Sequence, residues 1–209
     1  RSAVAAQPGA PSSPRPNPAD FAAGVAAGGT DPRAAHPARI FRTVETMFNI
    51  VTVCTGNICR SPMAEALLRA ELDRAGLCGR VAVGSAGVSD EEHGNPVDPR
   101  ARAVIAHHHL DLPDHCAHRI TDAELADADM LLAMTNSQRE QLRRRLPPDR
   151  ADTVRLMRSF DPQAEASGTD LDIADPWYGG SEDFDTAWEQ IAAATPGVVT
   201  WVRERVEAP

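Results

Sequence analysis

Lysine is absent from all 209 residues, so every fixed positive side-chain charge is an arginine. With so much Ala, Asp and Pro, that usage points to a GC-rich bacterial coding sequence. Positive charge is also in short supply: 21 Arg face 30 Asp and Glu, for a formal net charge of -9 and a pI near 5.2. That balance argues against binding to nucleic acid, whose phosphate backbone needs a basic surface. No apolar run approaches the roughly 20 residues of a membrane helix, so membrane insertion is not expected. Cysteine is limited to Cys54, Cys59, Cys78 and Cys116. Four in a chain of this size do not make a secreted disulfide framework, and a reducing compartment, the cytoplasm, is the expectation. Residues 1–46 hold no charged segment leading into a compact apolar one, the pattern of a secretory signal.

What is present divides in two. Residues 1–46 are rich in Ala, Pro, Gly and Ser, with five Arg against three acidic residues. Pro8, Pro11, Pro14, Pro16 and Pro18 break any helical periodicity, and a disordered tail is expected. From Met47 to residue 209, short apolar runs alternate with amphipathic stretches, which predicts one α/β domain with a parallel sheet. Strands are expected over residues 48–53, 81–84, 129–134 and 152–157. Helices are expected over 61–75, 98–108, 121–126 and 136–146. A long segment follows to Gly180. Ser61 and Ser181 read as helix caps, and Thr195-Pro196 as a break in the last helix.

The chemistry concentrates in Cys54-Thr55-Gly56-Asn57-Ile58-Cys59-Arg60-Ser61-Pro62, directly after the first strand. In open parallel sheets ligands sit beyond the carboxyl ends of the strands. Five residues separate Cys54 from Arg60, enough backbone to wrap one tetrahedral oxyanion. Amide groups at a helix N-terminus bind anions and favour a thiolate placed among them. A phosphate monoester held there would meet Cys54 as nucleophile. Arg60 would grip two oxygens in a bidentate fork. The amides of Thr55, Gly56, Asn57, Ile58, Cys59 and Arg60 would hold the remainder, and Ser61 could donate to the sulfur. Asp175, stiffened by Pro176, is the candidate acid and base. Trp177 and Tyr178 could flank a flat ring.

These residues resemble a low-molecular-weight protein tyrosine phosphatase of bacterial type. The likeness rests on CTGNICRSP after the first strand, SAG at residues 85–87, DPWY at residues 175–178 and the segment Ser181–Phe184. It covers Met47 to the end. The resemblance implies a three-layer fold, with a central four-stranded parallel sheet, helices on both faces and the phosphate loop after the first strand. It implies hydrolysis of phosphotyrosine proteins and small aryl phosphates through a cysteinyl phosphate, with no cofactor and no metal, and a cognate tyrosine kinase as partner. It also implies that Asn57, Ser61, Ser85 and His115 support the loop, and that Cys54 and Cys59 form a reversible disulfide. Relatives directed at phosphoarginine resemble a Thr at the position of Ile58, so phosphotyrosine is favoured here. Two departures bear on specificity. Glu91, within an acidic stretch from Asp90 to Glu92, stands where relatives place an aromatic on the pocket wall with Ile58, Trp177 and Tyr178. Thr135 stands where many carry Asp.

Other readings remain. Cys54 and Cys59 could be a metal pair, although no zinc spacing fits them. His107-His108-His109 could ligate a metal, but successive helical residues point in different directions. Arg143-Arg144-Arg145 reads as a solvated helix end. The rival functions are a thiol-relay arsenate reductase, for which Cys78 and Cys116 would have to form a relay, a protein-arginine phosphatase, and a non-catalytic phosphate binder.

Overall fold

Why the reacting loop sits where it does follows from the order in which the strands are laid down. A computed structural model describes residues 47–112, 114–168 and 170–208. The chain divides into units over residues 1–41 and 42–209, and everything described belongs to the second. The tail expected over residues 1–46 lies outside the described residues. The strands are β1 (Phe48–Cys54), β2 (Val81–Gly87), β3 (Met130–Ala133) and β4 (Val154–Leu156). They form one parallel sheet in the order β2-β1-β3-β4. The chain adds β2 on one side of β1 and then crosses to add β3 on the other. That reversal opens a crevice at the carboxyl end of β1, where parallel sheets bind ligands.

Among the described residues the α-helices are α1 (Arg60–Arg74), α2 (Pro99–His107), α3 (Asp122–Asp127), α4 (Asn136–Arg143), α5 (Pro162–Ser167) and α6 (Ser181–Val206). Side chains along a strand alternate between faces. Ile50 and Cys54 of β1 join Met63 and Leu68 of α1, Ile105 of α2 and Phe184, Ile191 and Val198 of α6 in one core. Val53 joins Leu131, Leu125 of α3 and Leu142 of α4 in the other. The result is the expected three-layer domain. Among the described residues no helix is long and apolar enough to cross a membrane.

Three local expectations are corrected. Ser61 does not cap α1: the helix begins at Arg60 with Cys59 at its N-cap, and the Ser61 hydroxyl points to the sulfur of Cys54 instead. Ser181 is likewise the first residue of α6, while the Asp183 carboxylate accepts the N–H of Gly180. Thr195-Pro196 does not break α6, which runs through Pro196 to Val206. A proline costs one backbone bond within a helix. Burial of Ile191, Ala194, Val198 and Val202 against the core outweighs that loss. One residue on, Gly197 lies where an added Cβ would come within 2.2 Å of the Phe160 carbonyl, so only glycine permits this approach.

The α2 terminus carries a pH signature. Asp98 caps the helix, accepting from the Arg100 N–H at 2.8 Å, and its own N–H reaches the carbonyl of Ile58 in the loop at 2.9 Å. Burial alone would raise this carboxyl. The hydrogen bonds from Arg100, side chain and backbone, outweigh it and hold Asp98 below the usual value. A depressed folded-state value adds stability above the ordinary aspartate pKa, and that stability is lost as pH falls through the folded value. Asp98→Ala is expected to cost about 1 kcal/mol near neutral pH. The deficit should shrink in acid, as urea titrations at pH 7 and pH 3 would read.

Candidate active site

The chain between β1 and α1 closes a small cup. Asn57 sits at φ 62°, a left-handed conformation that Asn tolerates better than most residues. This turn brings the Asn57 N–H to 3.3 Å from the sulfur of Cys54. Across the sheet Cys54 pairs with Gly87, where a Cβ would lie 2.6 Å from the Thr55 carbonyl and 3.3 Å from the Asn57 nitrogen. The glycine of the SAG segment therefore lets β2 press against the loop. Val88 and Ser89 then donate to the carbonyls of Cys54 and Thr55 at 3.0 Å each.

A buried hydrogen-bond chain ends on the sulfur. Ser85 donates to Glu65 Oε2 at 2.7 Å, so its oxygen accepts from Asn57 Nδ2 at 3.0 Å. The second hydrogen of that amide goes to Ser61 Oγ, also at 3.0 Å. The Ser61 proton is left for Cys54 Sγ at 3.1 Å or the Ala86 carbonyl at 3.3 Å. The Asn57 amide thus donates to both sides, and the arm through Ser61 ends on the sulfur with a hydroxyl proton, an arrangement that suits a negative charge there. His115 Nε2 lies 2.7 Å from the Asn57 carbonyl, and the His118 N–H donates to Asn57 Oδ1 at 3.2 Å. The structure thereby gathers Asn57, Ser61, Ser85 and His115 around one loop. Ser85 lies inside β2, which extends to Gly87 rather than ending at Gly84.

Arg60 closes the cup and is only 2% exposed. Its NH1 donates to the Ile173 carbonyl at 2.8 Å, and its NH2 reaches the Thr55 hydroxyl at 3.4 Å and the carboxylate of Asp175. Its Nε is buried without a partner. The nucleophile candidate, the guanidinium and the distant carboxyl thus meet in one pocket of about 90 Å³. Ile58, Cys59, Glu91, Trp177 and Tyr178 line it, as does Glu92, which the sequence did not single out. Tyr178 is 92% exposed and Trp177 42%, so both stand at the rim. Cys54 and Cys59 are both buried free thiols. Burial first, and then the charges of Cys54, Asp98 and Asp175, push the Cys59 thiol far above its ordinary pKa.

Two supports escaped the sequence. Arg100 donates to the carbonyls of Gly179 at 2.9 Å and Trp177 at 3.3 Å while paired with Asp98, tying the Asp175 segment to α2. Gln138, buried on α4, accepts from the N–H groups of Met134 and Thr135 at 3.1 Å and donates to the Thr55 hydroxyl at 3.1 Å. Thr135 itself caps α4 through its hydroxyl. The contact from this helix to the loop at Thr55 is made by Gln138, three residues on. The remaining sequence candidates are placed elsewhere. His107, His108 and His109 are exposed, and His108 stacks on Trp188 with ring centroids 4.4 Å apart. Among the described residues no three His, Cys, Asp or Glu are placed to share a metal ion. Arg143 and Arg145 bond to the carbonyls of Val154 and Ile120.

A cysteine and an arginine bracketing an amide-lined loop at a parallel-sheet switch point define a cysteine-based phosphatase scaffold. The sequence pattern described as low molecular weight phosphotyrosine protein phosphatase matches residues 49–208, and the chain belongs to that family. It is 43% identical over 161 residues to the low molecular weight protein-tyrosine-phosphatase of Streptomyces coelicolor, covering 77% of this chain and 96% of that protein. The crystal structure of a protein tyrosine phosphatase from Entamoeba histolytica, with Hepes in the active site, superposes with a TM-score of 0.70. It is 25% identical, over 76% of this chain and 98% of its own. The YwlE arginine phosphatase from Geobacillus stearothermophilus superposes with a TM-score of 0.64 at 30% identity, over 78% and 97% of the two chains.

Replacing Gln138 by Leu would leave the half-buried Thr135 N–H without its partner and take one contact each from the Met134 N–H, which keeps the Val53 carbonyl at 3.1 Å, and the Thr55 hydroxyl, which keeps Arg60. Each unsatisfied group costs about 1–3 kcal/mol. Gln138→Leu is therefore expected to lower the urea midpoint and, with Thr55 and Arg60 loosened, to reduce kcat for p-nitrophenyl phosphate. An unchanged midpoint would refute this placement of the side chain.

Proposed function

We propose that the chain hydrolyses phosphotyrosine in proteins, and small aryl phosphates, by a metal-independent route through a cysteinyl phosphate. One observation carries the reading: a buried guanidinium with an unpartnered Nε stands in the same pocket as the Cys54 sulfur and the Asp175 carboxyl. A charge taken out of water needs a counter-charge, and a phosphoryl dianion supplies one. Asp175 pairs with Arg60. Substrate displaces that carboxylate, leaving it beside the ester oxygen.

The steps then follow. The Cys54 thiolate attacks phosphorus in line, a P–S bond forms and the P–O bond to the phenol breaks. Asp175 gives its proton to the leaving oxygen. Water, giving a proton back to Asp175, then attacks phosphorus; the P–S bond breaks and inorganic phosphate and thiolate result. The loop amides and Arg60 hold the equatorial oxygens throughout, and this fixed cradle supplies most of the stabilisation. Ser61 donates to the sulfur as attacker and as leaving group.

The ring contacts favour tyrosine over arginine. Ile58 offers no hydrogen-bond acceptor to a guanidinium, and it lines the pocket with Trp177 and Tyr178 at the rim. A thiol relay is poorly supported. Cys78 bridges to Val81 at the start of β2, the end of the sheet opposite the loop, and Cys116 is exposed. A cytoplasmic location and a cognate tyrosine kinase complete the proposal.

Cys54→Ser should reduce hydrolysis of p-nitrophenyl phosphate to background while still binding vanadate, and EDTA should not inhibit the wild type. Substantial residual turnover, or full inhibition by EDTA, would sink the scheme. Asp175→Asn should slow poor leaving groups by about 10²–10⁴-fold and good ones less. It should also tighten inhibition by phosphate, because the carboxylate no longer competes for Arg60. A leaving-group series and phosphate inhibition on the variant read both.

A further inference from the structure

On the opposite face of the sheet from α1 and α6, a second cleft has no part in the chemistry above. It measures about 260 Å³ and is lined by Val88, Arg119, Gln141, Leu142, Arg144 and Arg145. It shares no lining residue with the pocket of Cys54. Three arginines line it in a chain whose net charge is -9. Among the described residues the only ion pair any of the three makes is Arg145 with Asp122 at 2.7 Å. Arg145 is also fixed by the Ile120 carbonyl at 2.9 Å. Arg119 and Arg144 are exposed and carry no ion pair there. Like charges around one cavity repel, and one carboxylate does not neutralise three cations.

We propose that this cleft is a second oxyanion site, taking a phosphate-bearing ligand apart from the Arg60 cradle. The planar forks of Arg119 and Arg144 suit phosphate oxygens in bidentate fashion. Gln141 adds an amide donor. Val88 and the fully buried Leu142 give an apolar floor, which raises the worth of each charged contact by excluding water. The cleft is also joined to the reacting loop. Val88 donates to the Cys54 carbonyl, and Arg119 bridges to Gly87, the residue pressed against Thr55 and Asn57. The phosphate group could belong to a free polyphosphate or to a second phosphorylated residue on a phosphotyrosine substrate.

The test uses the full chain with its cradle saturated by vanadate, titrated calorimetrically with inorganic tripolyphosphate at physiological salt. The wild type should bind one further equivalent. R119A/R144A, both exposed positions, should lose about tenfold or more in affinity, with turnover of p-nitrophenyl phosphate within twofold of wild type. No binding by the wild type, or equal binding by the double variant, overturns the site whatever the fate of the catalytic scheme. A second arm compares phosphotyrosyl peptides with and without a neighbouring phosphoserine. A lower KM for the doubly phosphorylated peptide, abolished in R119A/R144A at unchanged kcat, identifies the substrate as the source. Equal KM values alongside tripolyphosphate binding identify a free anion.

Discussion

A single guanidinium held almost wholly out of water is the constraint on which the rest of the domain turns. Burying a charge costs several kcal/mol unless it is paired and hydrogen-bonded. The fold meets that demand from three directions. The Ile173 carbonyl, the Thr55 hydroxyl and the Asp175 carboxylate all reach Arg60, from positions up to 115 residues away. Ile173 is itself fixed by its N–H to the Met134 carbonyl at the end of β3. Taken together, these contacts explain why the carboxyl ends of β1 and β3 must open side by side, and why the strand order reverses there.

The same economy governs the sulfur. The sulfur of Cys54 lies in a closed cup, and this chain has no lysine to set beside it. A chain of hydrogen bonds links it instead through Ser61, Asn57 and Ser85 to the Glu65 carboxylate. Glu65 is held in turn by Arg69 one helical turn on, at 2.9 Å. That carboxylate can only accept, which fixes the Ser85 proton on it and leaves the Asn57 amide to donate to Ser85 on one side and Ser61 on the other.

Much of this was legible in the sequence, and the limits have physical causes. The four strands follow from apolar patterning, and the pairing of Cys54 with Arg60 from a loop whose chemistry needs particular residues at fixed spacing, whereas the three layers, Ser85 and His115 came with the family resemblance. The misreadings at Ser61, Ser181 and Pro196 share one origin: local capping and helix-breaking rules were overridden by tertiary contacts. Glu65, Arg100 and Gln138 gave no sequence signal, because a polar side chain on an amphipathic helix normally faces water. Their partners lie 20, 77 to 79 and 83 residues away. Glu92 could have been found, since it adjoins Glu91 in an acidic run already noted.

Because α1 begins at Arg60 itself, the guanidinium belongs to the helix while the sulfur belongs to the strand. Their mutual orientation is therefore a matter of phase between two rigid bodies joined by a five-residue arc. Adding or deleting one residue in that arc would swing the arginine about 100° around the helix axis. No side-chain rotation could restore its aim without unthreading Met63 and Leu68 from the core. The length of the arc is thus fixed by packing on both sides of it, as well as by the chemistry within it.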